Sequence, residues 1–205
     1  MDTERTEENG RSDLDEWRAY GKGEAGALAR LVEKYRRPLF GFLSRFTGDA
    51  GQAEEWFQET WARALARPGA FTKPPLAPWL FRIAHNLAMD HFRRLRREGA
   101  LPGAGTGDGG EREDGGEGVP DVAAVSPDRV VATRELGERI GAAVAALPEA
   151  QRMTFSLRMD GRLAFREIAE IQGCPLGTVL ARMRYALAKL RAALAEDYEE
   201  WKEIR

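Results

Sequence analysis

Arginine and asparagine side chains recur along one side of a predicted helix over residues 79–97, WLFRIAHNLAMDHFRRLRR. An α-helix turns about 100° per residue, so the spacing places one polar set opposite the apolar residues. The side opposite the apolar residues carries Arg82, Asn86, Met89, Arg93, Arg96 and Arg97, of which only Met89 is apolar. A row of guanidinium groups suits phosphate oxygens, because each is a fixed, always charged fork of donors. The pattern indicates a nucleic-acid-binding helix, and a solvated surface helix is the alternative.

The apolar residues of this segment predict that its other side is buried against neighbouring helices. They are Leu80, Ile83, Ala84, Leu87, Ala88, Phe92 and Leu95. Helical spacing also runs through residues 26–46, where we expect Pro38 to bend or divide the helix, and through residues 50–66, with Asp49 as N-cap. Residues 70–78 contain three prolines and precede the arginine-bearing helix. No alternating β pattern is found, so the predicted fold is all-α.

A second helical block follows, with helices expected at about 129–147, 149–159, 165–172 and 178–195. The last two are joined by a short turn at Gly173, with Ile168 and Val179 as shared core and Thr178 as N-cap. This arrangement predicts a helix-turn-helix, whose second helix enters the DNA major groove. Residues 152–192 carry eight basic against three acidic residues, which favours DNA binding over a plain helical hairpin within a bundle.

Composition divides the chain into an acidic tail (1–23), a helical domain (24–97), a flexible linker (98–128), a second helical domain (129–195) and an acidic tail (196–205). The stretch 99–128 contains nine glycines and seven acids, too little apolar surface for a core. The single cysteine, Cys174, excludes a disulfide framework. His85 and His91, the only histidines, have no metal-ligand spacing with it. We expect no cofactor, no metal, no signal peptide and no membrane insertion.

Four motifs occur in order around this linker: AEEWFQETWARAL at 53–65, WLFRIAHNLAMDHFRR at 79–94, LPEAQRMTF at 147–155, and FREIAEI with GTV and Arg182 within 165–182. Together they resemble the sigma-70 family of RNA polymerase sigma factors, in the extracytoplasmic-function (ECF) group. The resemblance implies region 2 at 26–97 and region 4 at 136–194. It also implies a cytoplasmic protein that is not an enzyme and has no small-molecule substrate. Such a protein binds core RNA polymerase, recognises promoter −10 and −35 elements, starts strand opening, and is controlled by an anti-sigma factor or other regulator.

The resemblance also assigns residues to each contact. The −10 element is expected to meet Phe71, Lys73, Arg82, Asn86, Arg93, Arg94 and Arg97. The −35 element is expected to meet Thr178, Leu180, Ala181, Arg182, Arg184 and Tyr185. Core polymerase is expected to meet Glu54, Glu55, Gln58, Glu59 and Thr60. The chain departs from the family pattern at Leu180 and Ala181, where many relatives have a basic residue and a serine, so only apolar contacts such as those to thymine methyls are available.

Two other functions fit an all-α protein with a helix-turn-helix. One is a free-standing repressor or activator, which would need a dimer interface or a ligand domain. The other is an adaptor that binds only protein. Transcription in vitro with sigma-free core polymerase separates them from a sigma factor, because only a sigma factor gives promoter-specific transcripts.

Overall fold

The computed structural model describes residues 13–47, 49–67, 69, 71, 75–98 and 127–195. Over these ranges the chain forms eight helices and no strand. They are α1 (residues 13–21), α2 (Ala25–Ser44), α3 (Ala50–Ala66), α4 (Leu76–Arg97), α5 (Pro127–Ala145), α6 (Glu149–Met159), α7 (Phe165–Gln172) and α8 (Leu176–Ala193). The predicted all-α fold is confirmed. Helices α1–α4 form an N-terminal unit and α5–α8 a C-terminal unit, and the expected linker lies almost wholly outside the described residues.

Helix α4 is packed against α2 and α3 through one side, as its apolar spacing predicts. Its buried residues are Leu76, Leu80, Phe81, Ala84, His85, Leu87, Ala88 and Phe92. The start of α3 is fixed by Asp49, whose Oδ1 accepts a hydrogen bond from the Gln52 backbone N–H at 2.8 Å. This confirms the predicted N-cap, which satisfies one of the backbone donors left over at a helix start.

Two prolines lie within helices. Pro38 does not divide the helix, because α2 runs unbroken from Ala25 to Ser44. An interior proline costs about 3 kcal/mol. The turn after it buries Leu39, Phe42 and Leu43 completely, and this burial holds the helix together. Pro78 lies in the first turn of α4, where a missing N–H is harmless, and the helix begins at Leu76, earlier than predicted.

The segment 13–21, expected to be part of an acidic tail, is instead a helix built into the core. Asp13 is 1% exposed and Trp17 is 5% exposed. The Asp13 carboxylate accepts hydrogen bonds from the Tyr35 hydroxyl and from Lys34 Nζ, both at 2.6 Å. Seven acids within residues 1–16 suggested a solvated segment, but a buried carboxylate is stable when it is paired and hydrogen-bonded.

The C-terminal unit contains the expected helix-turn-helix. Gly173 ends α7 in the left-handed region, at φ 63°, which glycine adopts without a Cβ clash. Ile168 and Val179 are fully buried between the helices, as predicted. Thr178 does not cap α8, because the helix begins two residues earlier and its N-cap is Pro175. With proline fixing the backbone before Leu176, the helix starts before the threonine hydroxyl is in a capping position.

The two units share one apolar cluster, and a second cluster lies within the C-terminal unit. Phe81 of α4 contacts Phe42 at 5.4 Å between ring centroids, and Met153, Leu157 and Ile168 of the C-terminal unit join the same apolar cluster. A Cβ placed on Gly161 would lie 3.2 Å from the Phe81 ring and 2.7 Å from the Leu157 carbonyl oxygen. The absence of a side chain at residue 161 therefore lets the loop after α6 approach α4 closely.

Charged groups surround this shared core. Arg45 donates two hydrogen bonds to the Asp160 carboxylate, at 2.9 and 3.2 Å, and both side chains are largely buried. The Arg152 guanidinium lies 5.2 Å from the Phe46 ring centroid, and burial lowers its pKa. Arg96 of α4 donates to Glu149 at the start of α6. The two units are therefore joined by an apolar centre with a charged edge.

We predict that Asp160→Asn loosens the contact between the units. The change leaves the Arg45 guanidinium without its carboxylate, and a hydrogen bond to a charged group contributes about 1.5–3 kcal/mol. Small-angle X-ray scattering should show an increased radius of gyration. Asp90→Asn is the matched control, since it breaks an exposed pair within α4 and should leave the radius unchanged. Equal radii for Asp160→Asn and the unmodified protein would contradict the prediction.

Candidate nucleic-acid interface

The exposed side of α4 carries a continuous polar surface, which we call the arginine face: Arg82, Asn86, Arg93 and Arg97. All four side chains are exposed, and their spacing of four, seven and four residues keeps them on one side of the helix. Arg93 is held by Asp90 at 2.7 Å, and Arg82 lies 3.7 Å from Glu170 of α7. Arg94 points to one side, near His91 and Glu98, and Arg96 is paired with Glu149.

The arginine face combines three charged arginines with one uncharged polar side chain, Asn86. The guanidinium groups can contact phosphate oxygens, which position a nucleic acid without reading its sequence. The Asn86 amide offers both donors and an acceptor, so it can bond to an exposed base edge. The mixture suits a strand whose bases are turned towards the protein. Lys73 lies outside the described residues.

Phe71 does not present its ring to solvent, in contrast to its expected contact with a base. It is 6% exposed and stacks on Trp79 at 5.7 Å, with the Trp17 ring edge-on at 5.8 Å. Trp17 also meets Trp79 edge-on at 5.4 Å. An aromatic ring enclosed by two indoles gains far more from burial than a solvent-facing one. Phe71 thus anchors the segment before α4 in this conformation.

Tyr35 connects the same region to α1. Burial and the hydrogen bond to Asp13 raise the pKa of the Tyr35 hydroxyl far above its ordinary value. The backbone N–H of Ala77, in the first turn of α4, hydrogen-bonds the same oxygen. Sequence reasoning missed Asp13, Trp17 and Tyr35 as supports of this site. The spacing of Leu14, Trp17 and Tyr20 is helical and could have indicated a helix. The surrounding acidic residues led instead to the prediction of a tail.

His85 is the buried histidine of α4, at 8% exposed. Burial lowers its pKa, and the positive charge of Arg93 lowers it further, while the Asn86 side chain 3.3 Å away acts in the opposite direction. His91 is partly buried and lies edge-on to Trp56 at 5.0 Å. Burial and Arg94 lower its pKa as well. Both imidazoles therefore favour the neutral form beside the arginine face.

We predict that mild acid destabilises the N-terminal unit through His85. The unfolded imidazole takes up a proton near pH 6.5, whereas the folded one resists, so the unfolded state binds more protons and stability falls as pH drops below about 6.5. Urea unfolding at pH 5.5 and 7.5 should show this loss, and His85→Phe should reduce it. His91→Phe is the comparison variant: His91 is less buried than His85, so this change should remove a smaller part of the loss. An unchanged pH dependence in His85→Phe would refute the assignment.

An acidic surface lies on α3, the acidic face: Glu54, Glu55, Gln58 and Glu59. Glu55, Gln58 and Glu59 are exposed and Glu54 is half-buried. Thr60, expected to contact a partner here, is fully buried, and its hydroxyl donates to the Trp56 carbonyl at 2.7 Å. Thr60 is therefore not exposed to a partner in this structure, and its hydroxyl is satisfied on the preceding turn of the helix. Trp61 is a core residue at 5% exposed, whereas Trp56 is only partly buried.

The second helix of the helix-turn-helix, α8, carries the other predicted contact residues. Leu180 is exposed, and Thr178, Ala181, Arg182, Arg184 and Tyr185 are half-buried. Arg182 faces the turn, where its Nη1 lies 3.0 Å from Gln172 Oε1 and 3.4 Å from Cys174 Sγ. The Arg184 guanidinium lies 5.3 Å from the Tyr185 ring centroid. The predicted contact residues of α8 thus differ in exposure and in hydrogen bonding, and helical spacing alone did not predict these differences.

Comparison with known proteins agrees with this geometry. Family models for Sigma-70 region 2 and Sigma-70 region 4 match residues 31–98 and 143–192. The ECF RNA polymerase sigma factor RpoE of Cereibacter sphaeroides is 32% identical over 191 residues, covering 88% of this chain and 96% of the relative. The protein is an ECF sigma factor. SigW of Bacillus subtilis, another ECF sigma factor, is 30% identical over 85% of this chain and 92% of its own. The chain is therefore an alternative sigma factor that acts in transcription initiation with RNA polymerase and promoter DNA.

Solved structures share the fold. The sigma factor RpoE from Bartonella quintana, in complex with the anti-sigma factor NepR, matches with TM-score 0.59 and 21% identity, over 82% of this chain and 96% of that one. CnrH, in complex with the cytosolic domain of CnrY, matches with TM-score 0.62 and 21% identity, over 91% of this chain and 99% of that one. In the part of the chain that the structure describes, no helix is long and apolar enough to span a membrane. The same residues contain no cluster of histidine, cysteine and carboxylate side chains that could hold a metal ion.

Proposed function

We propose that this sigma factor binds the −10 element through the arginine face and the −35 element through the helix-turn-helix, and meets core polymerase through the acidic face of α3. The observation that carries the first assignment is an exposed asparagine set among exposed arginines on a helix whose other side is fully buried. A melted strand requires both phosphate contacts and access to base edges, and the arginine face supplies both.

The domain assignment follows from the same surfaces. Residues 24–97 would be region 2, with α1 added as a supporting helix, and residues 129–195 region 4. The stretches 98–128 and 196–205 would be a flexible linker and an acidic tail. The protein would have no catalytic activity of its own, because its proposed sites bind polymerase and DNA without a reacting group. It would act in the cytoplasm, where its polymerase and promoters are.

A protein regulator is a further proposed partner. The structures of RpoE from Bartonella quintana and of CnrH are complexes with NepR and with the cytosolic domain of CnrY. In this chain the charged edge of the contact between the units includes Arg82 and Arg96 of α4. A regulator that holds the units together would keep these two guanidinium groups paired with Glu170 and Glu149 and away from phosphates.

Transcription from a promoter library with sigma-free core polymerase tests the DNA assignment. The unmodified protein should give promoter-specific transcripts, and Arg93→Ala and Asn86→Ala should reduce open-complex formation. Arg93→Ala should reduce open-complex formation about tenfold or more, since a hydrogen bond to a charged group contributes about 1.5–3 kcal/mol. Arg18→Ala, which removes an equally exposed arginine on α1, should be neutral. Normal open complexes with Arg93→Ala and Asn86→Ala would contradict the −10 assignment.

Binding to core polymerase tests the acidic face separately. Glu55→Lys reverses an exposed charge on α3 and should lower affinity for core, most strongly at low salt, because rim charges act mainly through long-range attraction. Fluorescence anisotropy of labelled protein titrated with core would measure this. Glu33→Lys, an exposed reversal on α2, is the control. Equal loss in both variants would indicate a general charge effect and refute a specific contact at Glu55.

A further inference from the structure

We propose that Leu176 and Leu180 form a leucine edge on α8 that selects −35 elements carrying thymine methyl groups, while Arg182 holds the helix-turn-helix together and does not read bases. This inference rests on the proposed function of α8 as the −35 reader. It adds the chemical class of the DNA that α8 prefers and separates two neighbouring residues by role.

Arg182 belongs to an internal hydrogen-bond network. Thr154 of α6 is fully buried, and its hydroxyl donates to the Ala150 carbonyl at 2.9 Å and accepts from Gln172 Nε2 at 3.1 Å. Gln172 Oε1 in turn accepts from Arg182 Nη1 at 3.0 Å. The same Nη1 approaches Cys174 Sγ at 3.4 Å. This network joins α6, α7 and α8, so Arg182 fixes the angle at which α8 leaves the turn.

Leu180 lies on the side of α8 opposite Arg182. Residues two apart on an α-helix lie about 160° from each other around its axis, so Leu180 is on the open side when Arg182 is at the turn. Leu180 is 46% exposed, and Leu176, one turn earlier on the same side, is 38% exposed. Gly177 and Ala181 lie beside them and add almost no bulk. A large apolar surface is thus exposed at the end of α8 that enters a major groove in this motif.

The charge along α8 indicates duplex DNA as the occupant of this edge. Arg184 and Arg191 continue the side of the helix that begins with Leu176 and Leu180, and no acidic residue occurs within α8. In a helix-turn-helix the first residues of the second helix meet base edges, and basic residues beyond them meet phosphates. On α8 the apolar residues come first and the arginines follow. This order matches base edges near the start of the helix and phosphates further along it.

The chemistry of leucine selects among base pairs. In the major groove every base pair presents polar atoms, but thymine alone adds a methyl group that an apolar side chain can contact. Leucine supplies no partner, so placing it against guanine or cytosine leaves a buried polar group unsatisfied. The leucine edge therefore favours thymine on either strand and disfavours G·C pairs opposite Leu176 and Leu180.

Replacement of thymine by uracil tests this directly, because uracil keeps every hydrogen-bonding group and lacks only the methyl. Holoenzyme reconstituted from core polymerase and the full chain would first select −35 sequences from a randomised library. Uracil would then replace each thymine of the selected element, one position at a time. We expect about a fourfold loss of open-complex formation per contacted methyl, the value of one buried carbon. With Leu180→Ala, thymine and uracil should give equal rates at the position that Leu180 contacts.

Two variants complete the design. Met159→Ala removes another exposed apolar side chain, 55% exposed and outside α8, and should keep the full thymine dependence. Arg182→Gln should lower the thermal stability of the chain without changing which bases are selected, because its role is structural. A changed base preference in Arg182→Gln would overturn the division of roles.

Other outcomes would overturn the leucine edge itself. These are a selected −35 element without thymine, equal rates with thymine and uracil for the unmodified protein, or a Leu180→Ala defect in core affinity with unchanged thymine dependence, which would assign the edge to a protein partner. Promoter-specific transcripts that ignore the methyl would leave the proposed function intact and refute only this inference. The absence of any promoter-specific transcript would refute both.

Discussion

Burial of one side of α4 is the constraint on which the rest of the structure depends. Leu80, Ala84 and Ala88 are completely enclosed by the neighbouring helices, so the helix has a single possible orientation in the N-terminal unit. Guanidinium groups on the enclosed side would lose their hydration without a compensating partner, so the arginines face outwards. The packing that stabilises the unit therefore also creates the exposed arginine face, which is the surface proposed to meet promoter DNA.

The C-terminal unit covers a second part of α4. The Phe81 ring is buried, and the loop at Gly161 covers one part of it. The charged edge of this contact includes Arg82, paired with Glu170, and Arg96, paired with Glu149. The Arg82–Glu170 pair is about half exposed or more on both sides and contributes little. The Arg45–Asp160 pair is largely buried and makes the stronger connection.

The recognition helix shows a similar separation of roles. Arg182 and Leu180 are two residues apart, yet one is tied into the network from Thr154 and the other is open to solvent. In this chain the Arg182 guanidinium is hydrogen-bonded within the motif, and the Leu180 side chain is exposed. A basic residue is therefore not by itself a DNA-reading residue, since its contacts depend on which side of the helix the turn occupies.

The sequence by itself determined seven of the eight described helices, their order and the family, because helical spacing, the Asp49 cap, the glycine at the turn and four ordered motifs are local features. It also placed Arg82, Asn86 and Arg93 on one outward side, since helical geometry fixes which residues share a face. Only the tertiary structure decided which of the predicted contact residues are available: Phe71 is enclosed by Trp17 and Trp79, and Thr60 bonds within its own helix. Likewise, only packing made residues 13–21 part of the core and kept α2 continuous through Pro38. The physical reason is that burial depends on residues distant in sequence, and the apolar surface they cover outweighs the local preferences of an acidic segment or a single proline.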